Sequence, residues 1–257
     1  MNILVVIRLV PELCSNIKLE DNNIKITDTK YTIDLLSEIA VEEALQIREK
    51  FGGEVKILVV TEIENMEILL RPALAMGADS AICIKTNKKL DDFSVVKNIF
   101  QVVKDYSPDI VFVGGHDVLT NSIEQPAMLA AMLDWNFMTE VVKINLEKTI
   151  DKSENIKFKC IRETEVGTET YLLGMPCIIS VAKGLNEPRY PKLPEIIKSK
   201  TKIISIIPEL PESEIENNIC TVSNNIVINN KTQLVLTDSE EDVDKLADIL
   251  KSKINKK

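Results

Sequence analysis

The sequence predicts an α/β fold in which a parallel sheet carries helices on both of its faces. Apolar strand-like runs alternate with amphipathic helical segments in the first half of the chain, and NILVVI (2–7) and DIVFVGG (109–115) are almost continuously apolar. Such runs are typical of strands that helices cover on both sides. Four strand–helix repeats in succession therefore predict a doubly wound, Rossmann-like sheet.

The elements of this first half follow one another through short connections. After the first strand, NIKLEDNNIKI (16–26) alternates apolar and polar residues around Asp21-Asn22-Asn23, which is typical of a hairpin. The pattern then predicts a helix over 37–50, a strand over 54–61, a helix over 64–76, a strand over 80–85, a helix over 91–105, the strand over 109–115 and a helix over 122–134. Gly52-Gly53 and Gly77 stand at the ends of the first two of these helices, as is common at helix ends.

The second half of the chain has a different pattern. Short alternating segments indicate antiparallel strands at VVKINL (141–146), IKFKCI (156–161), TYLLGM (170–175) and CIISVA (177–182). Residues 200–235 have the composition of an extended arm, and 239–254 form an amphipathic helix with acids first and lysines last, as the helix dipole favours. We expect an α/β domain over 1–200 and, over 201–257, an arm and helix that lie across a partner subunit.

Composition excludes several classes of function. The net charge of −9 and an aromatic content of 4% argue against nucleic acid as a partner. No apolar run is long enough for a membrane span, and the N-terminus enters a strand at once, so we expect a cytoplasmic protein without membrane insertion. The five cysteines are scattered and there is one histidine, which argues against a disulfide framework and a metal site.

Three loops are expected at the carboxyl ends of the parallel strands, where doubly wound sheets bind ligands. They follow the first strand (RLVPE, 8–12), Thr61, and Gly114-Gly115. In the third loop, Asn121 and Ser122 precede a helix whose first N–H groups can bind a phosphate. A turn with an ordinary N-cap at Asn121 or Ser122 fits the same residues.

His116 stands at the end of the last of these strands and has either a functional or a structural role. The sequence contains no phosphate-binding glycine motif, nucleophile elbow or spaced acid–base pair. We therefore expect no catalytic residue and no independent enzyme, and any redox chemistry would belong to a bound cofactor.

Several segments match one known family in the same order along the chain. They are NILVVIRLVPE (2–12), AVEEALQIREKFGGEV (40–55), RPALAMGADSAI (71–82), DIVFVGG with LAAMLDW (109–135), and LNEPRY (185–190) followed by LPEIIKSK (193–200). On these residues the chain resembles the beta (small) subunit of electron-transfer flavoproteins, from the first strand to about Lys202. The signature LNEPRY is the most specific of the matches.

The resemblance implies an electron-carrier subunit in a heterodimer with an FAD-binding alpha subunit, which the C-terminal arm embraces. It also implies a nucleotide in this subunit, which is AMP or, in electron-bifurcating members, a second FAD. A flavin dehydrogenase, such as an acyl-CoA dehydrogenase, would dock on a recognition loop through a leucine that matches Leu193 here. Pro191 and Pro194 pre-order that loop, which lowers the entropic cost of docking.

By the same resemblance, the nucleotide lies against the turn after the first strand and near the start of the first helix. The residues that the resemblance implies for it are Arg8, Leu9, Val10, Asp34, Asn121, Ser122 and Ile123. The strand ends and the loop that leads into the fourth helix add Thr61, Gly114, His116, Glu124 and Gln125 as candidate residues. The family has an acidic turn where this chain has Leu119, Thr120 and Asn121, so AMP and FAD both stay open. The loss of that turn also leaves an alternative, a stand-alone adenine-nucleotide-binding regulatory protein of the same fold without flavin.

Overall fold

The computed structural model describes residues 1–12, 16–20, 23–27, 30–115, 123–148, 156–215, 219, 222 and 235–254. The strands are β1 (Asn2–Val6), β2 (Leu9–Pro11), β3 (Asn16–Glu20), β4 (Asn23–Thr27), β5 (Tyr31–Ile33), β6 (Glu54–Thr61), β7 (Ser80–Lys85), β8 (Ile110–Gly114), β9 (Asn136–Lys148), β10 (Ile156–Thr164), β11 (Gly167–Gly174), β12 (Cys177–Val181) and β13 (Ile204–Pro208). The helices are α1 (Leu35–Phe51), α2 (Met66–Met76), α3 (Asp92–Tyr106), α4 (Gln125–Leu133), α5 (Leu193–Ser199) and α6 (Glu240–Ile254). No helix in this part of the chain is long and apolar enough to cross a membrane.

Among the described residues, nine strands form one sheet in the order β11-β10-β9-β12-β8-β1-β6-β7-β13. Every neighbouring pair from β9 to β13 is parallel, and β10 is antiparallel to both β9 and β11. The chain runs outward from β1 through β6 and β7, then crosses to β8 on the other side of β1. The predicted parallel sheet is confirmed, and its topological switch point lies between β1 and β8.

The central strand β1 shows why helices cover both faces of the sheet. Ile3 and Val5 belong to a buried cluster with side chains of α1 and α2, and Leu4 and Val6 belong to a second cluster with α3 and α4. All four side chains are buried. The continuous apolar run therefore supplies both cores at once, as the sequence predicts.

The prediction of an antiparallel strand at 177–182 is wrong. Strand β12 pairs in parallel with β8, where Cys177 faces Ile110, and in parallel with β9, where Cys177 faces Asn136. Its five residues are all buried, as expected for an inner strand of a parallel sheet. Of the preceding strands, β10 is antiparallel to both of its neighbours, β9 and β11, as predicted.

The predicted arm also contains a strand that the sequence does not predict. Strand β13 pairs in parallel with β7 at the edge of the sheet, with Ile204 opposite Ala81. An edge strand tolerates a proline, and Pro208 is the last residue of β13. The arm is therefore not free of regular structure between 204 and 208.

Outside the large sheet, β3 and β4 form a separate two-stranded sheet, which confirms the predicted hairpin. Asp21 and Asn22 of its turn lie outside the described residues. The described chain divides into two compact units, Met1–Lys18 with Lys25–Val222 and Leu19–Ile24 with Ser223–Lys257. Helix α6 confirms the predicted C-terminal helix, with Glu240, Glu241 and Asp242 in its first turn.

Candidate functional site

The candidate ligand site lies at the switch point, where β1 and β8 end next to each other. Gly114 is the last residue of β8, and a Cβ atom there would lie 3.3 Å from both the backbone nitrogen and the Oγ of Ser37. A Cβ on Gly115 would lie only 2.5 Å from the carbonyl oxygen of Val181, closer than real Cβ atoms approach. The two glycines therefore let the start of α1 and the end of β12 close in on the end of β8.

Arg8 follows β1 and connects the starts of two helices. Its backbone N–H donates to Ser37 Oγ over 3.0 Å, and its carbonyl accepts from the N–H of Asp34 over 3.0 Å. Its guanidinium Nη2 donates to Gln125 Oε1 over 3.1 Å, at the first residue of α4. Arg8 thus places a half-buried positive charge between the N-termini of α1 and α4.

The next residues after Arg8 form a short strand rather than an open loop. In β2, Leu9 lies opposite Ile33 and Val10 lies opposite Thr32 of β5. Both Leu9 and Val10 are half-buried. This antiparallel pairing brings the chain before α1 back to Arg8, and contact of Leu9 and Val10 with a nucleotide stays a prediction.

Asp34 is the N-cap of α1. Its Oδ2 accepts from the backbone N–H of Leu36 over 3.2 Å, and the residue is buried and extended, as is typical of a cap. One turn further, burial and, secondarily, the negative charge of Asp34 raise the pKa of the Glu38 carboxyl. The structure explains Asp34 as a helix cap, and its contact with a nucleotide stays a prediction.

Helix α4 begins at Gln125, three residues later than the predicted start at 122. Gln125 is buried, and its Nε2 donates to Asp92 Oδ1 at the start of α3 over 2.6 Å. Ile123 and Glu124 are exposed directly before the helix, and the Glu124 carbonyl accepts from the N–H of Met128 over 2.9 Å. His116, Asn121 and Ser122 lie outside the described residues.

Thr61 ends β6, one strand away from β1 at the same edge of the sheet. Its Oγ1 accepts from the N–H of Ile63 over 3.1 Å, and its carbonyl accepts from the N–H of Thr86 over 3.0 Å. Thr61 therefore holds the turns that follow β6 and β7. Its participation in ligand binding stays a prediction.

Two residues of this site, Ser37 and Asp92, were not predicted from the sequence. Both act by accepting hydrogen bonds from the predicted residues Arg8 and Gln125. The doubled acids Asp91-Asp92 at the start of α3 are a signal in the sequence, but Asp91 is the N-cap, with its Oδ1 accepting from Ser94 N–H over 2.8 Å. That Asp92 accepts a hydrogen bond from Gln125 becomes visible only when α3 packs beside α4.

The described residues suit the negatively charged part of a nucleotide. A guanidinium between the N-termini of two helices offers charge-assisted and backbone donors to a phosphate. No group of histidine, cysteine or acidic side chains in the described ranges is arranged to hold a metal ion. Burial raises the pKa of the thiol to about 11 at Cys83 and to about 12 at Cys160, as expected for packing residues.

A second candidate region contains Leu193, the first residue of α5. The helix begins at Leu193, with Pro194 in its first turn. The side chains of Leu193, Ile196 and Ile197 are exposed, and Leu193 is 70% exposed. Leu193 therefore does not belong to the core of this chain.

The signature LNEPRY attaches this region to α1. Asn186 Nδ2 donates to the carbonyl of Ile39 over 3.1 Å and to Glu43 Oε2 over 3.0 Å. The guanidinium of Arg189 donates to the carboxylates of both Glu42 and Glu49. The sequence singles out the signature by resemblance, and the structure shows that two of its side chains bind α1.

The sheet order, the helices on both faces and the glycine-lined switch point define an α/β protein of the Rossmann-like class. An electron transfer flavoprotein domain matches residues 23–210, so the chain belongs to the electron transfer flavoprotein family. It is 32% identical over 191 residues to the electron transfer flavoprotein subunit beta of Bradyrhizobium diazoefficiens, covering 74% of this chain and 73% of that protein.

Other similar proteins carry the same description. The identity is 32% over 215 residues with the subunit beta of Dictyostelium discoideum, covering 83% of this chain and 82% of that protein. With the subunit beta of Bacillus subtilis the identity is 31% over 205 residues, covering 79% of this chain and 77% of that protein. The resemblance to beta subunits is confirmed.

Proposed function

We propose that this chain is the beta subunit of a heterodimeric electron-transfer flavoprotein that carries electrons between flavin dehydrogenases and an acceptor. The observation that supports this most strongly is the family match over 23–210, which contains the end of β8, the start of α4 and all of α5. FAD held in the heterodimer supplies the redox chemistry. The residues of this chain bind and position the cofactors and partners, and they perform no reaction of their own.

The switch-point site would hold the second nucleotide of the complex, either AMP or a second FAD. Arg8 would neutralise a phosphate, and the N–H groups of about 121–125 would bind phosphate oxygens at the start of α4. The close packing at Gly114 and Gly115 brings the start of α1 against the end of β8. AMP fits simple carriage of electrons, and a second FAD fits bifurcation.

The C-terminal part, residues 201–257, would embrace the FAD-binding alpha subunit. Four apolar side chains of α6 are exposed and are spaced so that they form one stripe along the helix: Val243, Leu246, Ile249 and Leu250. Such an apolar stripe is stable in water when another surface covers it. The alpha subunit is the surface that the resemblance implies.

The exposed segment at Leu193 would dock on a flavin dehydrogenase, such as an acyl-CoA dehydrogenase. An apolar side chain held outside the core is suited to a pocket in a partner. Lys192, Lys198 and Lys200 are exposed in the same segment, so an acidic partner surface would be attracted. Lys198 Nζ also lies 2.8 Å from Glu195 Oε1 within α5.

The decisive experiment is co-expression of this chain with its alpha subunit, followed by a visible absorption spectrum and mass spectrometry of the released nucleotides. One FAD and one AMP per heterodimer would support simple carriage, and two FAD would support bifurcation. A colourless protein that purifies alone with an adenine nucleotide would contradict the proposal and support the regulatory alternative. The cytoplasmic location stays a prediction, which cell fractionation tests.

A further inference from the structure

We propose that Arg71 and Lys202 are positioning residues that hold α5 on α2, so that Leu193 is presented to the dehydrogenase in one orientation. This inference rests on the proposed docking function of Leu193. It concerns how the docking segment is kept in place, since the exposed side chains of α5 do not anchor it.

The two cations form reciprocal contacts between the ends of the two helices. Arg71, in α2, donates from Nη1 to the carbonyl of Ser199 at the end of α5 and to the carbonyl of Lys202 over 3.0 Å. Lys202 donates from Nζ to the carbonyls of Leu74 over 2.9 Å and Ala78 over 2.7 Å, at the end of α2. Each helix end therefore receives a cation from the other segment.

Two of the four carbonyls, those of Ser199 and Leu74, lie in the last turn of a helix. The last carbonyls of a helix have no partner inside the helix, and the helix dipole makes that end negative. Arg71 and Lys202 are half-buried, and burial lowers the pKa of the Lys202 ammonium. The two cations are thus structural ligands of backbone carbonyls rather than freely hydrated surface charges.

The short helix α5 depends on such contacts. It has seven residues, and a helix of that length is not stable alone in water. Leu193, Ile196 and Ile197 are 70%, 41% and 59% exposed, so much of their apolar surface is not used to attach the helix. The segment is held from both sides. Before α5, Arg189 binds Glu42 of α1, and after α5, Arg71 and Lys202 make their contacts between α2 and the end of α5.

The test compares Arg71→Gln and Lys202→Met with a matched control, Arg48→Gln, in the full heterodimer. Arg48 Nη1 donates to the carbonyl of Gly77 over 2.9 Å, so it also binds the end of α2, but its other partner is Asp79 rather than α5. The readouts are the KM and kcat of a purified acyl-CoA dehydrogenase with the heterodimer as varied substrate, and amide hydrogen exchange of 193–199.

We expect Arg71→Gln and Lys202→Met to raise KM about threefold to tenfold, because docking must then order a loose segment, while kcat stays unchanged. In both variants the amides of 193–199 exchange faster than in wild type. In the Arg48→Gln control they exchange at the wild-type rate. Arg71→Lys keeps one cation with fewer donors and gives a smaller rise in KM, and it replaces Arg71→Gln if that variant fails to fold.

Equal KM values, equal exchange protection, or the same changes in Arg48→Gln would overturn the inference. The variant Leu193→Ala distinguishes a failure of the positioning role from a failure of the docking function on which it rests. If Leu193→Ala leaves KM unchanged, the docking function is wrong whatever the exchange data show. If Leu193→Ala raises KM and the two positioning variants do not, docking is correct and the positioning role is wrong.

Discussion

The guanidinium of Arg189 binds both carboxylate oxygens of Glu42, with Nε 2.7 Å from Oε2 and Nη2 3.0 Å from Oε1. The side chain of Glu42 is 5% exposed and that of Arg189 is 34% exposed. Such two-point contacts are stronger and more directional than single hydrogen bonds. Its hydrogen bonds to Glu42 and, to a smaller extent, to Glu49 raise the pKa of the guanidinium. The contact between Arg189 and Glu42 fixes the signature segment on α1.

Arg189→Met should lower the free energy of unfolding by about 2–3 kcal/mol, because it leaves the carboxylate of Glu42 buried without its cation. Urea unfolding of the purified chain measures this. The control is Arg162→Met, since Arg162 is 32% exposed but its partner Glu169 is 37% exposed. We expect that control to cost less than about 1 kcal/mol, and equal losses in the two variants would contradict a special role for the buried carboxylate.

Leu193→Ala should slow electron transfer from the dehydrogenase about tenfold at limiting carrier concentration, because a leucine buried in a partner contributes roughly 1.5–3 kcal/mol. Stability should change by less than about 0.5 kcal/mol, as for other exposed positions. Ile68→Ala is the control, since Ile68 is 71% exposed on the neighbouring α2. A loss of stability without a change in transfer would show that Leu193 serves the fold.

Arg8→Gln should weaken nucleotide binding about tenfold to a hundredfold, because a charge-assisted hydrogen bond to phosphate contributes roughly 1.5–3 kcal/mol. Isothermal titration of the nucleotide-depleted heterodimer with AMP measures the Kd. Arg48→Gln, in the last turn of α1 and away from the switch point, should leave the Kd unchanged. An unaltered Kd in Arg8→Gln would show that the phosphate does not bind at Arg8.

Glu43→Gln tests the pH dependence of the contact between α1 and the signature segment. Burial raises the pKa of Glu43 above its ordinary value of 4.5, although a hydrogen bond from Asn186 opposes this. The contribution of a carboxyl with a raised folded-state pKa is fully present below the unfolded pKa and is lost as pH rises through the folded pKa. The free energy of unfolding of Glu43→Gln, measured relative to wild type, should therefore rise between pH 4 and pH 7. A difference that stays constant over this range would refute burial as the cause.

Truncation of the chain tests the role of its C-terminal part. Removal of 223–257 should leave the first compact unit folded and abolish co-purification with the alpha subunit. Removal of 203–257 also deletes β13 and uncovers β7, so it should lower the melting temperature as well. Full recovery of the alpha subunit with the shorter deletion would show that the arm is not what holds the heterodimer together.

The continuous apolar run of β1 made the fold predictable from the sequence, because Ile3 and Leu4 are both apolar and face opposite sides of the sheet. Strand neighbours were less predictable. The pattern CIISV specifies a buried strand but not that β12 enters between β8 and β9, which is a property of the whole chain path. For the same reason β13 was not found within the predicted arm.

The candidate site was predicted in part. The loop positions of Arg8 and Gln125 follow from strand ends, and the structure brings these two residues into contact. The roles of Ser37 and Asp92 depend on which helices pack side by side, which no local pattern contains. The late start of α4 has a local reason, since Pro126 is favoured in the first turn of a helix and fixes the start just before it.

The late entry of β12 has a consequence for synthesis on the ribosome. Strand β8 is complete when residue 114 has emerged, but its second neighbour, β12, is complete only at residue 181. During the intervening elongation, β8 presents an open edge of unpaired backbone groups, and such edges recruit strands of other chains. A nascent chain stalled between these two points should therefore aggregate more readily than one released after residue 181.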